Sequence, residues 1–327
     1  MKPLYLTFLL LFFSGLLSAQ QDDQFTQFMH YRFGFNPGAA GSEETAVVSG
    51  LVRSQWLGLE GAPETQLLTF NMPLFNQKVG IGANLLRHSI GLSENYELNG
   101  TYAYRIDLGR GVLGIGVQAS VRLLRTDFNQ AQATQPIETD AAIPVGIQSK
   151  YVPNFGAGVF YHDQDERFYF GFSIPRFLQN NIDLADSEGI ISREIRHYYL
   201  MGGAKLPINE KINLLPHVLL KYVSGAPFDA DVNLTVEFME KFSTGISYRI
   251  GGSKSSSLGE ALSFLVGMDV SEHFMFGLSY DLTLSDLRSY NNGSVEGLLR
   301  YRFGGKSEGD QRNPFNGRDF YERTTGN

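Results

Sequence analysis

The sequence predicts an all-β fold, a single-domain transmembrane barrel of the outer-membrane type with about 14 antiparallel strands. Three observations predict this fold class. The chain begins with an export signal, it has no later apolar run long enough for a membrane-spanning helix, and its polar and apolar residues alternate along many short stretches. A closed barrel pairs every backbone group that would otherwise face lipid, so strands can cross a membrane only in this form.

The first residues predict a cleaved signal peptide over residues 1–19. Lys2 supplies a positive charge, an apolar stretch runs from Leu4 to Leu17, and Ser18 and Ala19 are the small residues that a signal peptidase needs. The apolar stretch is too short to cross a bilayer as a helix, although an uncleaved anchor helix is the alternative. We therefore expect an exported protein, integral to the cell outer membrane and in contact with its lipid.

The composition suits a protein that is apolar on one face only. The chain has 25 Phe, 16 Tyr and 36 Gly, yet no run of about 20 apolar residues follows the signal peptide. Cysteine is absent, which excludes an acylated cysteine anchor, a disulfide framework and a thiolate metal site. The net charge of −7 argues against nucleic acid as a partner.

A period of two is the main evidence for strands. Leu113, Ile115 and Val117 alternate with Gly114 and Gly116, whereas a helix would mix the two sets around its circumference. Strands that face lipid and lumen in turn should show this pattern over about ten residues. We predict strands at 45–54, 64–74, 78–88, 95–107, 111–126, 153–162, 166–174, 195–205, 211–223, 228–238, 241–250, 260–270, 273–284 and 294–303.

The connections between these strands alternate in length. Outer-membrane barrels have short periplasmic turns and longer external loops, so every second connection should be short. The predicted short turns are 75–77, 108–110, 163–165, 207–210, 239–240 and 271–272. The intervening connections are mostly longer, at 55–63, 127–152, 175–194, 251–259 and 285–293, with brief ones near 89–94 and 224–227. Because every second connection, starting with the one after the second strand, is a short periplasmic turn, both ends of the barrel are predicted to lie in the periplasm.

Four segments follow from these boundaries. They are the signal peptide 1–19, a periplasmic or plug-like N-terminal segment 20–44, the barrel 45–303, and a polar C-terminal tail 304–327 that is expected in the periplasm or docked on a partner.

Glycine is frequent on the faces predicted to line the lumen, at Gly80, Gly82, Gly114, Gly116, Gly156, Gly158, Gly171 and Gly277. Such small residues leave room for the N-terminal segment, for a loop or for a partner polypeptide. Easier curvature of the strands is the alternative explanation.

No residue pattern in the sequence indicates an enzyme, a cofactor or a metal centre. The acidic residues and histidines are scattered, and no nucleophile elbow or i, i+4 histidine pair occurs. Asp229, Asp231 and Glu237 share one face of a predicted strand. They could bind a cation, but pairing with Arg and Lys of neighbouring strands is the simpler expectation.

Three short motifs occur between residues 24 and 66. They read Gln24-Phe-Thr-Gln-Phe-Met29, then Phe35-Asn-Pro-Gly-Ala-Ala-Gly-Ser42, then Arg53-x-Gln-Trp-x-Gly58 with Gly61-Ala-Pro-x-Thr-Gln66. This block resembles the PorP/SprF family of outer-membrane proteins of the type IX secretion system. The chain departs from the family pattern at Gly38-Ala39, where Ala-Tyr is usual, so an aromatic contact is missing.

The resemblance implies a role in secretion. Members of the family are barrels that work with the type IX translocon and its periplasmic subunits, and they assist secretion or surface attachment of particular large cargo, such as adhesins of gliding bacteria, through the cargo's C-terminal domain. The positions carried over from the family motifs are Asn36, Pro37, Gly41, Arg53, Trp56, Gly61, Pro63, Thr65 and Gln66. They could bind a partner, or they could only seal the barrel.

The residue types at several of these positions predict a structural role. Asn36-Pro37 favours extended or turn backbone. Gly41 and Gly61 suit tight backbone. Arg53 and Trp56 could stack on each other or anchor the first external loop.

Two other functions remain open from the sequence alone. A porin or a transporter of hydrophobic solutes would use the same fold, because barrels with more than about eight strands can enclose a channel. A surface adhesin or structural barrel would act through the loops 127–152 and 175–194.

Overall fold

The computed structural model describes residues 23–130, 146–164, 167–184, 192–226, 228–251 and 259–304. The predicted signal peptide and nearly all of the predicted tail lie outside these residues.

In the described part of the chain, fifteen strand segments form one antiparallel sheet that closes on itself. Consecutive segments pair, except that β8 and β9 both pair with β10, and β15 pairs with β1 from Val47↔Arg302 to Ser54↔Val295. The segments are β1 Val47–Ser54, β2 Glu64–Leu74, β3 Val79–Ile90, β4 Ser93–Leu108, β5 Gly111–Asp127, β6 Ile147–Asp163, β7 Phe168–Ile174, β8 His197–Ala204, β9 Leu206–Asn209, β10 Ile212–Val223, β11 Asp229–Phe238, β12 Phe242–Ile250, β13 Ala261–Asp269, β14 Phe274–Thr283 and β15 Ser294–Arg302.

The predicted count of fourteen strands is confirmed, because β8 and β9 are two halves of one wall strand. Both pair with β10, and Lys205 separates them. A register shift occurs beside the pair Asn213↔Pro207. Proline cannot donate to the ladder, so a break in the strand next to it is expected.

Two predicted boundaries were wrong. The turn predicted at 207–210 lies mostly within β9, which continues to Asn209. β6 begins at Ile147 rather than at 153, because β5 and β6 pair without interruption as far as Asp127↔Ile147. Their hairpin therefore extends well beyond the end of β7 at Ile174.

The apolar and polar residues that alternate along each strand lie on the outer and inner faces of the barrel, respectively. Outward residues such as Val117 and Phe155 are more than half exposed, as expected for side chains that face lipid in the membrane. Inward residues such as Gln118 and Asn154 are buried. The barrel is thus apolar outside and polar inside.

The lengths of the connections orient the barrel. We name the end with short turns periplasmic and the end with longer connections external. β1 starts and β15 ends at the periplasmic end.

Residues 23–46, called the inner segment below, lie inside the barrel. The segment contains two 3-10 turns, Phe28–His30 and Pro37–Ala39, and a helical turn Arg32–Phe35 between them. No helix in the described part of the chain is long and apolar enough to cross a membrane. Edge-to-face aromatic contacts join Phe25, Tyr31 and Phe35 to Tyr199 of the wall, with ring centroids 5.5–6.1 Å apart. The core of the molecule is therefore in the lumen.

The inner segment crosses the lumen from one end to the other. Asp23 pairs with His88 near the external end of β3, at 2.8 Å. Gly41 contacts Gly80 at the periplasmic end of the same strand. The chain then enters β1, and Phe303 donates a backbone hydrogen bond to Ala46.

A second stretch turns inward at the external end. After β7 the carbonyl of Pro175 lies over Gly156 and accepts a hydrogen bond from Gln118. Glu194 is buried beside Arg122 and Asn154. Both described ends of the loop predicted at 175–194 therefore pack against the inner face of β5 and β6.

Candidate functional site: the inner segment and its contacts with the wall

Most of the lumen-facing glycines predicted from the sequence meet the inner segment. Pro37 and Gly38 lie against Gly116 and Gly114, so closely that a Cβ on either wall glycine would clash with backbone. The other contacts to this segment are made by Gly80, Gly82, Gly158, Gly171 and Gly277, whereas Gly156 meets Pro175. Of the occupants that the sequence left open, the inner segment and one loop therefore take up the space beside these glycines.

This close approach predicts a contrast between two glycines of adjacent strands. We expect Gly116→Ala to destabilise the protein by about 1–3 kcal/mol, because the added methyl overpacks against Pro37. Gly100→Ala on β4 should change stability by no more than about 0.5 kcal/mol, because a Cβ there has nothing within 4 Å. Chemical denaturation of both variants in micelles measures the difference. Equal stability of the two variants would contradict the tight packing of Pro37.

Asn36 fixes the middle of the inner segment to the wall. Its side chain is fully buried, donates to the carbonyl of Val159 at 2.9 Å and accepts from the amide of Gly38 at 2.9 Å. The second of these bonds caps the turn Pro37–Ala39. The Asn36 amide packs so closely against Gly158 and Gly171 that a Cβ on either glycine would clash with it.

Gly41 turns the chain toward β1. Its φ of +70° favours glycine, and it packs against Gly80. Its amide donates to Asn71 at 2.7 Å, and its carbonyl accepts from Arg105. Both wall residues face the lumen, so each backbone group of Gly41 has a partner.

Arg53 holds the external half of the inner segment through two carboxylates. Its guanidinium lies 2.7 Å from Asp281 and 3.2 Å from Glu296, and all three side chains are almost fully buried. Glu296 accepts the backbone amides of Thr26 and Gln27, both at 2.9 Å. The Thr26 hydroxyl donates to Asp281 and accepts from Arg53. Strands β1, β14 and β15 thus meet the inner segment in one cluster, called the Arg53 cluster below.

The buried charges continue around the wall. Arg249 lies 3.9 Å from Asp281 and 2.7 Å from Asp231, which is 2.9 Å from Lys221. Asp229 lies 3.7 Å from Lys221, and Glu237 lies 3.7 Å from Lys205. The expected pairing of the acidic face of β11 with Arg and Lys is therefore confirmed.

The Arg53 cluster predicts a large loss of stability on truncation. Arg53→Ala should cost about 3–5 kcal/mol, because it leaves Asp281 and Glu296 buried with fewer partners. Gln66→Ala is the matched control, since Gln66 faces outward on β2. The midpoint of urea unfolding from micelles measures both. A loss below about 1 kcal/mol for Arg53→Ala would mean that the cluster does not hold the segment.

The other carried-over residues lie at the external mouth. Pro63 is buried, and its carbonyl accepts from the amide of Gln55 at 2.9 Å. Gly61 has a φ of +69° and packs against Gly91 of the next external turn. Thr65 is buried against His88 at 2.9 Å. Gln66, by contrast, lies on the outer face, away from the inner segment.

Trp56 is in the first external loop, in an unusual backbone conformation. Its φ is +48°, a region that bulky residues rarely adopt. Its amide donates to Ser294 at 3.1 Å. The cation–π contacts among the described residues do not include Arg53, whose guanidinium instead takes part in the ion pairs above. The loop is thus tied to β15 through the hydrogen bond from the Trp56 amide to the Ser294 hydroxyl rather than through Arg53.

Residues 17–301 match the sequence profile of the family described as type IX secretion system membrane protein PorP/SprF. This chain belongs to the PorP/SprF family. The match takes in the three motifs, the inner segment and nearly all of the barrel. The barrel fold and this family together indicate the outer membrane.

Solved structures similar to this PorP/SprF protein are also barrels of low sequence identity. The outer membrane protein Omp33 of Acinetobacter baumannii is 8% identical, with a TM-score of 0.46, over 79% of this chain and 98% of that one. The toluene transporter TbuX of Ralstonia pickettii is 10% identical, with a TM-score of 0.49, over 82% of this chain and 92% of that one. No curated protein sequence matches significantly. Identities of this size imply nothing about shared ligands.

Charged groups of this PorP/SprF barrel also fix the periplasmic end of the inner segment. Glu43 lies 2.8 Å from Arg300 and 3.6 Å from Arg32. Burial alone would raise the pKa of Glu43, but Arg300, Arg32 and Arg302 outweigh it and hold this pKa at about 2. Glu43 is therefore ionised at any physiological pH. Burial, reinforced by Arg300, lowers the pKa of His30, which is neutral at pH 7.

The inner segment leaves space along one side of the lumen. A cavity of about 910 Å³ opens at the periplasmic end, and a smaller one of about 130 Å³ lies between Gln27 and the wall at β10–β14. A third, of about 310 Å³, lies at the external mouth beside Trp56. No group of three or more acidic or histidine residues suited to a metal occurs in the described part of the chain.

The wall partners of the inner segment were not predicted from the sequence. Asp281 and Glu296 lie on the lumen faces of their strands, and Arg105 does the same near Gly41. One feature of the sequence could have predicted these partners. It is a charged residue at a lumen-facing position of a strand whose other lumen-facing residues are small, as at Asp281 after Gly277 and Ser279. Such a residue needs an opposite charge inside the barrel.

Proposed function

We propose that this PorP/SprF protein is a sealed, non-catalytic accessory barrel of the type IX secretion system. In this role it assists the secretion or surface anchoring of a specific large cargo, such as an adhesin, by binding the cargo's C-terminal domain. It also contacts periplasmic subunits of the translocon. Its barrel provides a fixed mount in the outer membrane rather than a passage for solutes.

One observation carries the proposal, namely that the inner segment occupies the lumen along its whole length. It supplies seven of the seventeen side chains of the buried apolar cluster, and its two ends are held by the pairs Asp23–His88 and Glu43–Arg300. A protein that serves as a pore has no use for so many buried contacts between a lumen segment and the wall. Binding surfaces on external loops and periplasmic turns are compatible with a filled lumen.

Deletion of the gene tests the proposal directly. We expect one or a few large proteins to disappear from the cell surface while permeability to small solutes stays unchanged. Restoring the gene with a chain that ends at Gly304 should return the cargo but not the co-purification of periplasmic translocon subunits, if the tail binds them. The proposal fails if every surface protein remains in place in the deletion strain.

Affinity purification of the tagged protein in mild detergent is the second test. A cargo C-terminal domain or translocon subunits should come with it. Reproducible recovery of the barrel alone would count against a secretion role.

A porin or a transporter of hydrophobic solutes is the second candidate. The cavities beside the inner segment favour it, because they leave part of the lumen unfilled. Conductance in planar bilayers separates the two functions, since an open channel would favour transport and a closed barrel would favour secretion. An adhesin role is less well supported, because both described ends of the loop predicted at 175–194 pack inward.

A further inference from the structure

We propose that the cavity at the external mouth binds a single pyranose unit of a glycan. The cavity has a volume of about 310 Å³ and lies between the first external loop and the outer ends of β12–β14. Small-molecule sites commonly occupy the mouths of barrels, and their volumes start at about 300 Å³. This proposal does not rest on the secretion role, because the cavity could bind a sugar whatever the barrel does.

The floor of the cavity offers a buried hydrogen-bond donor that has no partner. Arg53 lines the floor, and its Nε atom is fully buried without an acceptor, although its other two nitrogens are paired with Asp281 and Glu296. A buried polar group without a partner costs about 1–3 kcal/mol. An acceptor supplied by a ligand would remove this cost.

The rim offers an aromatic ring on a strained backbone. Trp56 lines the cavity and has a φ of +48°. Strained conformations of this kind cost about 1–3 kcal/mol and are concentrated at functional sites. Indole rings combine a broad apolar face with a polar edge, which suits contact with the apolar face of a sugar ring.

The charges of the cavity select a neutral ligand. Arg53 and Arg249 would repel a cation, whereas Glu260, Asp281 and Asp286 would repel an anion. Hydroxyl groups both donate and accept, so one sugar can satisfy the Arg53 Nε and donate to Glu260 at the same time. Thr283, Ser285 and Ser294 add hydroxyls to the lining. A polyol with one apolar face therefore fits better than a charged side chain.

Trp56 is the only tryptophan of the chain, so its fluorescence reports on this cavity alone. The full-length protein is titrated in a detergent without a sugar headgroup. The probes are methyl glycosides of glucose, galactose, mannose, rhamnose and N-acetylglucosamine, and, for a cationic side chain, acetyl-lysine methylamide. We expect a saturable change in fluorescence with at least one glycoside and none with the lysine derivative.

Three variants make the test specific. Glu260→Gln should weaken binding at least tenfold, and Ser285→Phe, which fills the cavity without touching the Arg53 cluster, should abolish it. Glu60→Gln, an exposed residue outside the cavity, should leave affinity unchanged. No saturable response to any glycoside, an undiminished response in Ser285→Phe, or binding of the lysine derivative instead would each overturn the proposal.

Discussion

Deleting residues 23–44 should convert a closed barrel into a conducting one. The inner segment fills the lumen between the Arg53 cluster and Gly80, so its removal leaves only the inward-packed ends of the 175–194 loop inside a fourteen-stranded wall. Barrels of more than about eight strands can enclose a channel, and we expect single-channel conductance to rise at least about tenfold. Planar bilayer recordings of the purified protein measure the change.

Two controls accompany this experiment. A chain that ends at Gly304 loses a stretch of similar length but keeps the inner segment, and it should stay closed. Heat-modifiable migration on a gel shows whether the deleted barrel still folds. If it folds and remains closed, the lumen is blocked by something other than the inner segment. If the native protein already conducts at the level of the deletion, the porin function gains the support that the sealed barrel loses.

A cysteine at position 23 should react with a membrane-impermeant maleimide on intact cells. The pair between Asp23 and His88 places the start of the inner segment at the external end, and the Asp23 side chain is about one-fifth exposed. This position is unexpected for a residue that precedes the first strand, because the barrel itself begins and ends at the end that we named periplasmic. The native chain has no cysteine, so any labelling comes from the introduced one.

Positions on known sides calibrate the labelling. Glu60→Cys in the first external loop should react on intact cells, whereas Asn76→Cys in a periplasmic turn should react only after the outer membrane is permeabilised. Labelling of Asp23→Cys in the manner of Asn76→Cys would mean that the inner segment is not threaded to the external mouth in the cell.

The period of two and the alternation of connection lengths were enough to predict the wall. Both depend on local features, namely side-chain alternation and turn chemistry, so the sequence contains them directly. The break at Lys205 and the long β5–β6 hairpin were missed, because strand ends depend on which neighbour continues to pair. Pairing beyond the membrane leaves no apolar signal in the sequence.

The candidate site was only partly predictable. Lumen-facing glycines such as Gly114 and Gly116 could be identified from the alternation of apolar and small residues along the strand. The segment that approaches them could not be identified in this way. The pairing of Arg53 with Asp281 and Glu296 joins residues more than 200 positions apart. Contacts across a lumen depend on strand tilt and register, which a single sequence does not reveal.

The covalent link at Ala46 makes the inner segment a ligand that the wall cannot lose. A detached segment would remain tethered within reach of its own binding surface, at an effective concentration on the order of millimolar. Rebinding is therefore intramolecular and independent of the amount of protein in the membrane. Weakening individual contacts would lengthen the intervals during which the segment is detached, whereas lasting opening would require a competitor that takes its place beside Gly114 and Gly116.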